Sequence, residues 1–180
     1  MQKLKAKVIA VIGSKKSGKT TTIENLIREL TKRGYKVCAI KHISEPNFTI
    51  DTKGKDTWRF AKSGADTIVS VSSSEIATIE KVNPKNFTLE KVLEKCESND
   101  IVIIEGLRSL VNQREDIPKI VVAKSKTEAL ETLESFKPIL AFAGPYSTEN
   151  MRLRIPYVDA LKSPEKIADI IEKYFGKKRS

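Results

Sequence analysis

Eight residues near the start of the chain have the types and spacing needed to hold a phosphate. Gly13-Ser14-Lys15-Lys16-Ser17-Gly18-Lys19-Thr20 fits G-x-x-x-x-G-K-[ST], with Thr21 directly behind it. Gly13 and Gly18 admit backbone angles and close approaches closed to other residues. The loop's amide groups then turn inward as an anion nest, and the dipole of the helix that follows points at the same place. Lys19 is spaced to reach the β- and γ-phosphates of a nucleotide, and the Thr20 hydroxyl to sit on Mg²⁺. A carboxylate further along answers this loop. Glu105 ends the run Asp-Ile-Val-Ile-Ile-Glu-Gly that starts at Asp100. In phosphate-loop proteins an acid at the end of a neighbouring apolar strand binds Mg²⁺, directly or through water, or orients the attacking water. Here that acid is Glu rather than the usual Asp, and Asp100 at the far end reads as a solvated cap.

A second tier of polar residues surrounds these. Lys41 and His42 follow the second apolar strand, and His42 is the only histidine. Asp51 and Asp56 flank Gly54 in Ile-Asp-Thr-Lys-Gly-Lys-Asp-Thr-Trp. Asp51, in mid-loop, is a candidate Mg²⁺ ligand. Asp56 has two readings, the N-cap of the next helix or a contact to Mg²⁺ or substrate. Lys55 and Arg59 are either phosphate ligands or plain surface charge. Arg108 and Arg114 belong either to a second anion site or to a solvated loop. No [NT]-K-x-D element is present to read a guanine edge, so the residues alone do not choose between GTP and ATP.

These groups need a scaffold, and hydrophobic periodicity supplies one. Val8–Ile12 reads as a strand and Lys19–Arg33 as a helix, with Ile23, Leu26, Ile27 and Leu30 on one face and Gly34 as its stop. Lys36–Lys41 is a strand, His42–Gly54 a loop, Lys55–Ser63 a short helix, and Thr67–Val71 a strand. Glu75–Glu80 is a further strand, paired antiparallel, and Leu89–Cys96 a helix. Asp100–Glu105 is a strand buried on both faces by its unbroken apolar run. Pro118–Ala123 is a strand, Thr127–Phe136 a helix, Ile139–Ala143 a strand ending at Gly144-Pro145, and Ser163–Tyr174 the closing helix. This alternation predicts an α/β, three-layer sandwich of P-loop NTPase type around a mainly parallel sheet, with 1–180 as one nucleotide-binding domain. Ligands of such sheets sit beyond the strands' carboxyl ends. The ends that matter are Gly13, Lys41/His42, Ser72, Glu105 and Gly144.

Composition narrows the function classes. The 180 residues can bury a sizeable core, and no apolar run reaches the ~20 residues of a membrane span. Cys38 and Cys96 are far apart in sequence and form no C-x-x-C pair, which fits free thiols in a reducing cytoplasm. There is no Cys/His cluster with zinc spacing. The net charge of +10 suits an anionic partner. The cations are scattered, however, with a small concentration at Lys177-Lys178-Arg179. Aromatics are only 6% of the chain, so no stacking platform for nucleic acid is present.

Five segments occur in order: GSKKSGKTT, AIKH, FTIDTKGKDTWRFAKSGA, DIVIIEG and PKIVVA. Together they resemble the molybdopterin-guanine dinucleotide biosynthesis protein B family, MobB, over roughly Val8–Ala123. The GKDTWR…GA segment together with DIVIIEG makes the resemblance specific. It implies a GTP-binding protein with weak intrinsic GTPase activity, working as a homodimer. It also implies a partner, the nucleotidyltransferase that joins GMP to molybdopterin. The family's phosphate-loop roles carry to Gly13, Gly18, Lys19 and Thr20, and its strand-end acid to Glu105. Its G-K-D segment carries to Gly54, Lys55 and Asp56, and its K-H pair to Lys41 and His42. The chain departs from the family after that pair: Ile43-Ser44-Glu45-Pro46 stand where many members have further His or Asp. Two rival classes remain from the residues. One is a small-molecule P-loop kinase with Arg108/Arg114 or Arg152/Arg154 as a lid. The other is a non-catalytic module, either an adapter carrying a nucleotide or cofactor to a partner or a basic nucleic-acid binder.

Overall fold

An apolar strand running straight into a phosphate loop must lie at the centre of its sheet, because only there are both faces covered. The computed structural model describes residues 6–83, 86–144 and 154–177. Pro145, Arg152, Lys178 and Arg179 therefore lie outside the described residues. In chain order the elements are β1 (Lys7–Gly13), α1 (Lys19–Lys32), β2 (Val37–Lys41), α2 (Asp56–Lys62), β3 (Thr67–Val71), β4 (Ile76–Glu80) and α3 (Leu89–Glu94). They continue with β5 (Ile101–Glu105), α4 (Arg108–Val111), β6 (Lys119–Val122), α5 (Lys126–Glu131), β7 (Ile139–Ala143), β8 (Tyr157–Val158) and α6 (Pro164–Phe175).

The chain divides into two compact units. The first holds residues up to His42 and from Val92 onward; the second is Ile43–Lys91. The first contains a six-stranded sheet in the order β2-β5-β1-β6-β7-β8. Each of its pairings is parallel. The β1–β5 register sets Val11 beside Glu105, and the β2–β5 register sets Lys41 beside the same residue. Strand alternation puts Ile9, Val11, Ile101, Ile103, Ile120 and Val122 on one face. There they pack with Ile23, Leu26 and Leu30 of α1 and Ile167, Ala168 and Ile171 of α6. Residues of the opposite parity, Val8, Ala10, Ile12, Val102, Ile104 and Val121, are buried too. That double burial is why β1 and β5 are continuous apolar runs rather than alternating ones.

Arg33 fixes the C-terminal end of α1. Its guanidinium donates to Glu29 at 2.8 Å, Asp169 at 2.7 Å and Glu172 at 2.8 Å. Tyr35 Oη donates to the other oxygen of Glu172 at 3.0 Å. These contacts tie α1 to α6 and so hold the helix whose N-terminus faces the phosphate loop. Deeper in the sheet, Lys119 of β6 is fully buried. Its Nζ donates to the Arg114 and Lys137 carbonyls at 2.6 Å each. Burial holds this ammonium below the ordinary lysine value, while Asp116 pulls the other way and Arg114 adds to the lowering.

The second unit holds α2 and an antiparallel pair, β3 with β4, in register from Thr67↔Glu80 to Val71↔Ile76. The predicted antiparallel strand is therefore present. Yet β3 is not a member of the six-stranded sheet, so Ser72 does not end one of its strands as the alternation suggested. Val69, Val71 and Ile76 on this ribbon are exposed, as are Phe48, Ile50, Phe60 and Val82.

Candidate functional site

The loop between β1 and α1 is built by two backbone necessities. A Cβ on Gly13 would sit 2.2 Å from the Val122 carbonyl oxygen and 2.8 Å from Ser17 Oγ, so only glycine lets β1 end against β6. Further on, Lys16 takes a left-handed φ of 61° and Gly18 one of 93°. Left-handed residues among right-handed ones turn successive amides to one side, which is the geometry of an anion nest. A left-handed non-glycine is a strained choice, and such strain gathers at functional loops. The Ser17 hydroxyl is buried with no hydrogen-bond partner among the described residues. An unpaired hydroxyl beside such a run of amides fits an anionic group.

Lys19, the first residue of α1, folds back so that its Nζ donates to the Ser14 carbonyl at 2.6 Å. Burial lowers the pKa of this ammonium. Glu105 opposes the shift, Lys41 and Arg108 add to it, and Glu128 opposes it again. The cation is thus only partly compensated, and a polyphosphate would supply the missing counter-charge. Next to it, Thr20 Oγ1 lies 3.4 Å from both carboxylate oxygens of Glu105. Lys41 Nζ stands 2.8 Å from Glu105 Oε1. Strand order explains the meeting: β5 lies between β2 and β1, so residues 20, 41 and 105 share one sheet edge. A hydroxyl and a carboxylate side by side are hard oxygen donors of the kind Mg²⁺ takes.

His42 and Gly106 extend the edge. The His42 amide donates to the Glu105 carbonyl at 2.9 Å, and the His42 side chain is exposed. Gly106 has φ 92°, and a Cβ there would meet His42 Cβ at 3.0 Å. The glycine after Glu105 therefore lets the chain turn beside His42. Lys15, Lys16, Gly18, Thr20 and Thr21 are exposed, whereas Gly13, Ser14 and Lys19 are half-buried and Ser17 is buried.

The remaining candidates have other partners. Asp51, Gly54, Lys55, Asp56 and Arg59 all belong to the second unit. Asp51 Oδ1 accepts from the Thr52 amide and from Thr57 Oγ1, both at 2.8 Å. Lys55 rather than Asp56 is the N-cap of α2; Asp56 opens the helix and pairs with Arg59 at 3.2 Å. Arg108 opens α4 with its guanidinium 5.0 Å from the Phe136 ring centre. Arg114 grips Asp116 through two bonds of 2.8 Å and holds that carboxyl below its usual range.

Sequence reading missed Glu128. Its carboxylate accepts from the Lys124 amide at 2.7 Å and the Ser14 amide at 3.3 Å. Ser125 Oγ in turn accepts from the Glu128 amide. This is a capping box whose carboxylate reaches the phosphate loop instead of the cap's own amide. Burial pushes the Glu128 pKa up, but the Lys124 and Ser14 bonds outweigh it and the net shift is downward. The S-x-x-E pattern from Ser125 to Glu128 was the available signal. It was hidden because the periodicity starts a helix at Thr127, after the cap.

A central parallel strand that opens into this loop, with an acid on the adjacent strand end, defines the α/β fold of the P-loop NTPase type. The profile of the family "Molybdopterin guanine dinucleotide synthesis protein B", MobB, matches residues 8–144. A molybdopterin-guanine dinucleotide biosynthesis adapter protein from Haemophilus influenzae is 32% identical over 93% of this chain and 88% of its own. A crystal structure titled molybdopterin-guanine biosynthesis protein B shares 25% identity with a TM-score of 0.71, covering 94% of this chain and 99% of that one. The structure of Bacillus subtilis MobB is similar in fold, with a TM-score of 0.69 at 24% identity over 91% of this chain and 96% of that one. The chain belongs to the MobB family. The kinase reading finds no support in these relatives.

Proposed function

We propose that this chain is a MobB adapter that binds a guanine nucleotide with Mg²⁺ during molybdopterin guanine dinucleotide biosynthesis. The observation that carries the nucleotide reading is the cluster of Lys19, Thr20 and Glu105 beside a loop with the unpaired buried Ser17 hydroxyl. Lys19 leaves the Ser14 carbonyl and bonds the β- and γ-phosphates, while the loop amides from Ser14 to Thr21 hold the phosphate oxygens. Thr20 and Glu105 would hold Mg²⁺, which would supply neutralisation of phosphate charge. Asp51 remains a further candidate for the metal, and Lys41, His42, Gly54, Lys55, Asp56 and Arg59 for contacts to nucleotide or substrate. Hydrolysis is slow in this reading, because no described residue of the loop edge stands out as a well-placed base and no arginine finger is identifiable there; a supplied arginine is worth about 10³–10⁵ in rate.

The adapter's partner is the nucleotidyltransferase that joins GMP to molybdopterin, and its compartment is the cytoplasm. Two copies of the chain form the working unit. Support for a homodimer comes from the exposed apolar ribbon Val69, Val71 and Ile76, since contiguous exposed apolar surface marks an interaction site. No helix among the described residues is long and apolar enough to cross a membrane.

Equilibrium binding of GTP, ATP and their diphosphates, with and without Mg²⁺, tests the reading. A Mg²⁺-dependent preference for GTP is expected. Lys19→Ala removes two charge-assisted bonds to phosphate, ~3–5 kcal/mol in all, and weakens GTP binding by about 10²–10³-fold or more. Unchanged affinity in that variant overturns the site assignment.

A further inference from the structure

We propose that Cys38 and Cys96 form an oxidation site, at which an intramolecular disulfide closes the first unit around the point where the second is inserted. The two are the only cysteines of the chain and are 58 residues apart, so their meeting is a product of topology. Cys38 lies on β2, and Cys96 in the turn after α3, just before β5. Because β2 and β5 are parallel neighbours, the turn entering β5 lies alongside the start of β2. Their sulfurs are 2.7 Å apart, within about 0.7 Å of the ~2.05 Å of a disulfide bond. Both are free thiols.

The surrounding backbone holds the pair in place. The Lys36 carbonyl accepts from the Asp100 amide at 2.8 Å and the Ile101 amide at 3.2 Å. The Lys36 amide donates to Asp100 Oδ2 at 2.7 Å. These three bonds lock the approach to Cys38 against the exit from Cys96, so joining the sulfurs needs only a small side-chain movement. The two sulfurs also differ in access. Cys96 is 3% exposed, and Cys38 is half-buried. Burial, and then the Cys38 sulfur beside it, push the Cys96 thiol up to about 12. Cys38 is therefore the sulfur that meets an oxidant first.

The oxidant is a low-molecular-weight disulfide, such as oxidised glutathione. The Cys38 thiolate attacks one of its sulfurs, a mixed disulfide forms, and one glutathione thiolate leaves. Cys96 then gives up its proton and attacks Cys38 Sγ, displacing the second glutathione. Two protein thiols are oxidised, one small disulfide is reduced, and the two protons end on the two glutathione thiols. The loop so closed contains the whole of Ile43–Lys91. A link across a loop of this length has a chain-entropy ceiling of about 8–16 °C in Tm.

The test uses the reduced full-length protein, equilibrated with excess oxidised glutathione and compared with the untreated sample. Free thiols should fall from two to none, and the intact mass by two hydrogens. Peptides carrying Cys38 and Cys96 should be joined, and Tm should rise by several degrees, all reversed by dithiothreitol. Cys38→Ala and Cys96→Ala should each take a glutathione adduct or nothing, with no rise in Tm. Two titratable thiols after treatment overturn the proposal. So does a stable glutathione adduct on the wild type, or a disulfide between two chains. The wild-type measurement decides the question even if Cys96→Ala fails to fold.

Discussion

Replacing Glu128 with alanine should loosen the phosphate loop from a distance. The carboxylate makes one short bond, 2.7 Å to the Lys124 amide, and one long bond, 3.3 Å to the Ser14 amide. Hydrogen bonds to an ionised acceptor are worth ~1.5–3 kcal/mol each when buried. The short bond here counts as about 2 and the long one as about 1. Lys124 is exposed, so water replaces part of the first bond, leaving a net loss of about 2 kcal/mol. For a chain of this size that is about 4–8 °C in Tm. Glu128→Gln keeps one acceptor oxygen and should lose about half as much. Since the folded-state pKa of Glu128 is depressed, its contribution is full above the unfolded value of about 4.3 and is lost as pH falls through the folded one. The Tm gap between wild type and Glu128→Gln should therefore be constant near neutrality and shrink in acid. Ser14 also begins the nest. A loop that loses ~1 kcal/mol of preorganisation should bind GTP about fivefold more weakly. Thermal unfolding by circular dichroism from pH 7 down to pH 3, with nucleotide titrations at pH 7, measures all of this. An unchanged Tm for Glu128→Ala, or a gap that persists undiminished in acid, refutes the reasoning.

Two further substitutions probe the scaffold. Gly13→Ala drives a methyl group into the Val122 carbonyl, which is backbone and cannot swing away. Its cost belongs at or above the top of the ~1–3 kcal/mol range for overpacking, read as a lower urea midpoint; an unchanged midpoint would contradict the packing described. Lys119→Met keeps the side-chain volume but deletes the donor to two main-chain carbonyls. Wholesale replacement of a buried ion pair can be neutral because both charges go. Here the acceptors stay behind, so about 2–4 kcal/mol should be lost in urea unfolding. A variant as stable as the parent would show that water reaches the site.

What could be read from sequence was whatever sits in one continuous stretch. The β1–loop–α1 segment was legible because strand, glycines and helix periodicity are adjacent. The apolar run ending in Glu105 placed an acid at a strand end, but its register beside Lys41 and Val11 came only with the sheet order. Structure alone supplied contacts between distant segments. Ser14 and Glu128 are 114 residues apart, and Cys38 and Cys96 look unrelated until the crossover between β2 and β5 is known. β8 is two residues long, too short for any periodicity to mark. Thr127–Phe136 reads as a helix by composition, yet α5 ends at Glu131, because Phe136 is buried beneath the Arg108 guanidinium rather than carried on the helix. β3 and β4 were found, but side-chain alternation carries no label for which sheet a strand joins.

The placing of β1 has a consequence for how the chain is made. Its two neighbours in the sheet begin at Ile101 and Lys119, so β1 leaves the ribosome well before either strand it pairs with. At ~5–20 residues per second, the interval before β5 emerges is on the order of 5–20 s. For that time Val8–Ile12, five consecutive apolar residues, stays unpaired, although the segments behind it are already available for local structure. Parallel pairing between distant segments is slow for the same reason. Expression at lower temperature, or with a chaperone that shelters short apolar segments, should thus raise the yield of the correctly assembled sheet by protecting this one strand.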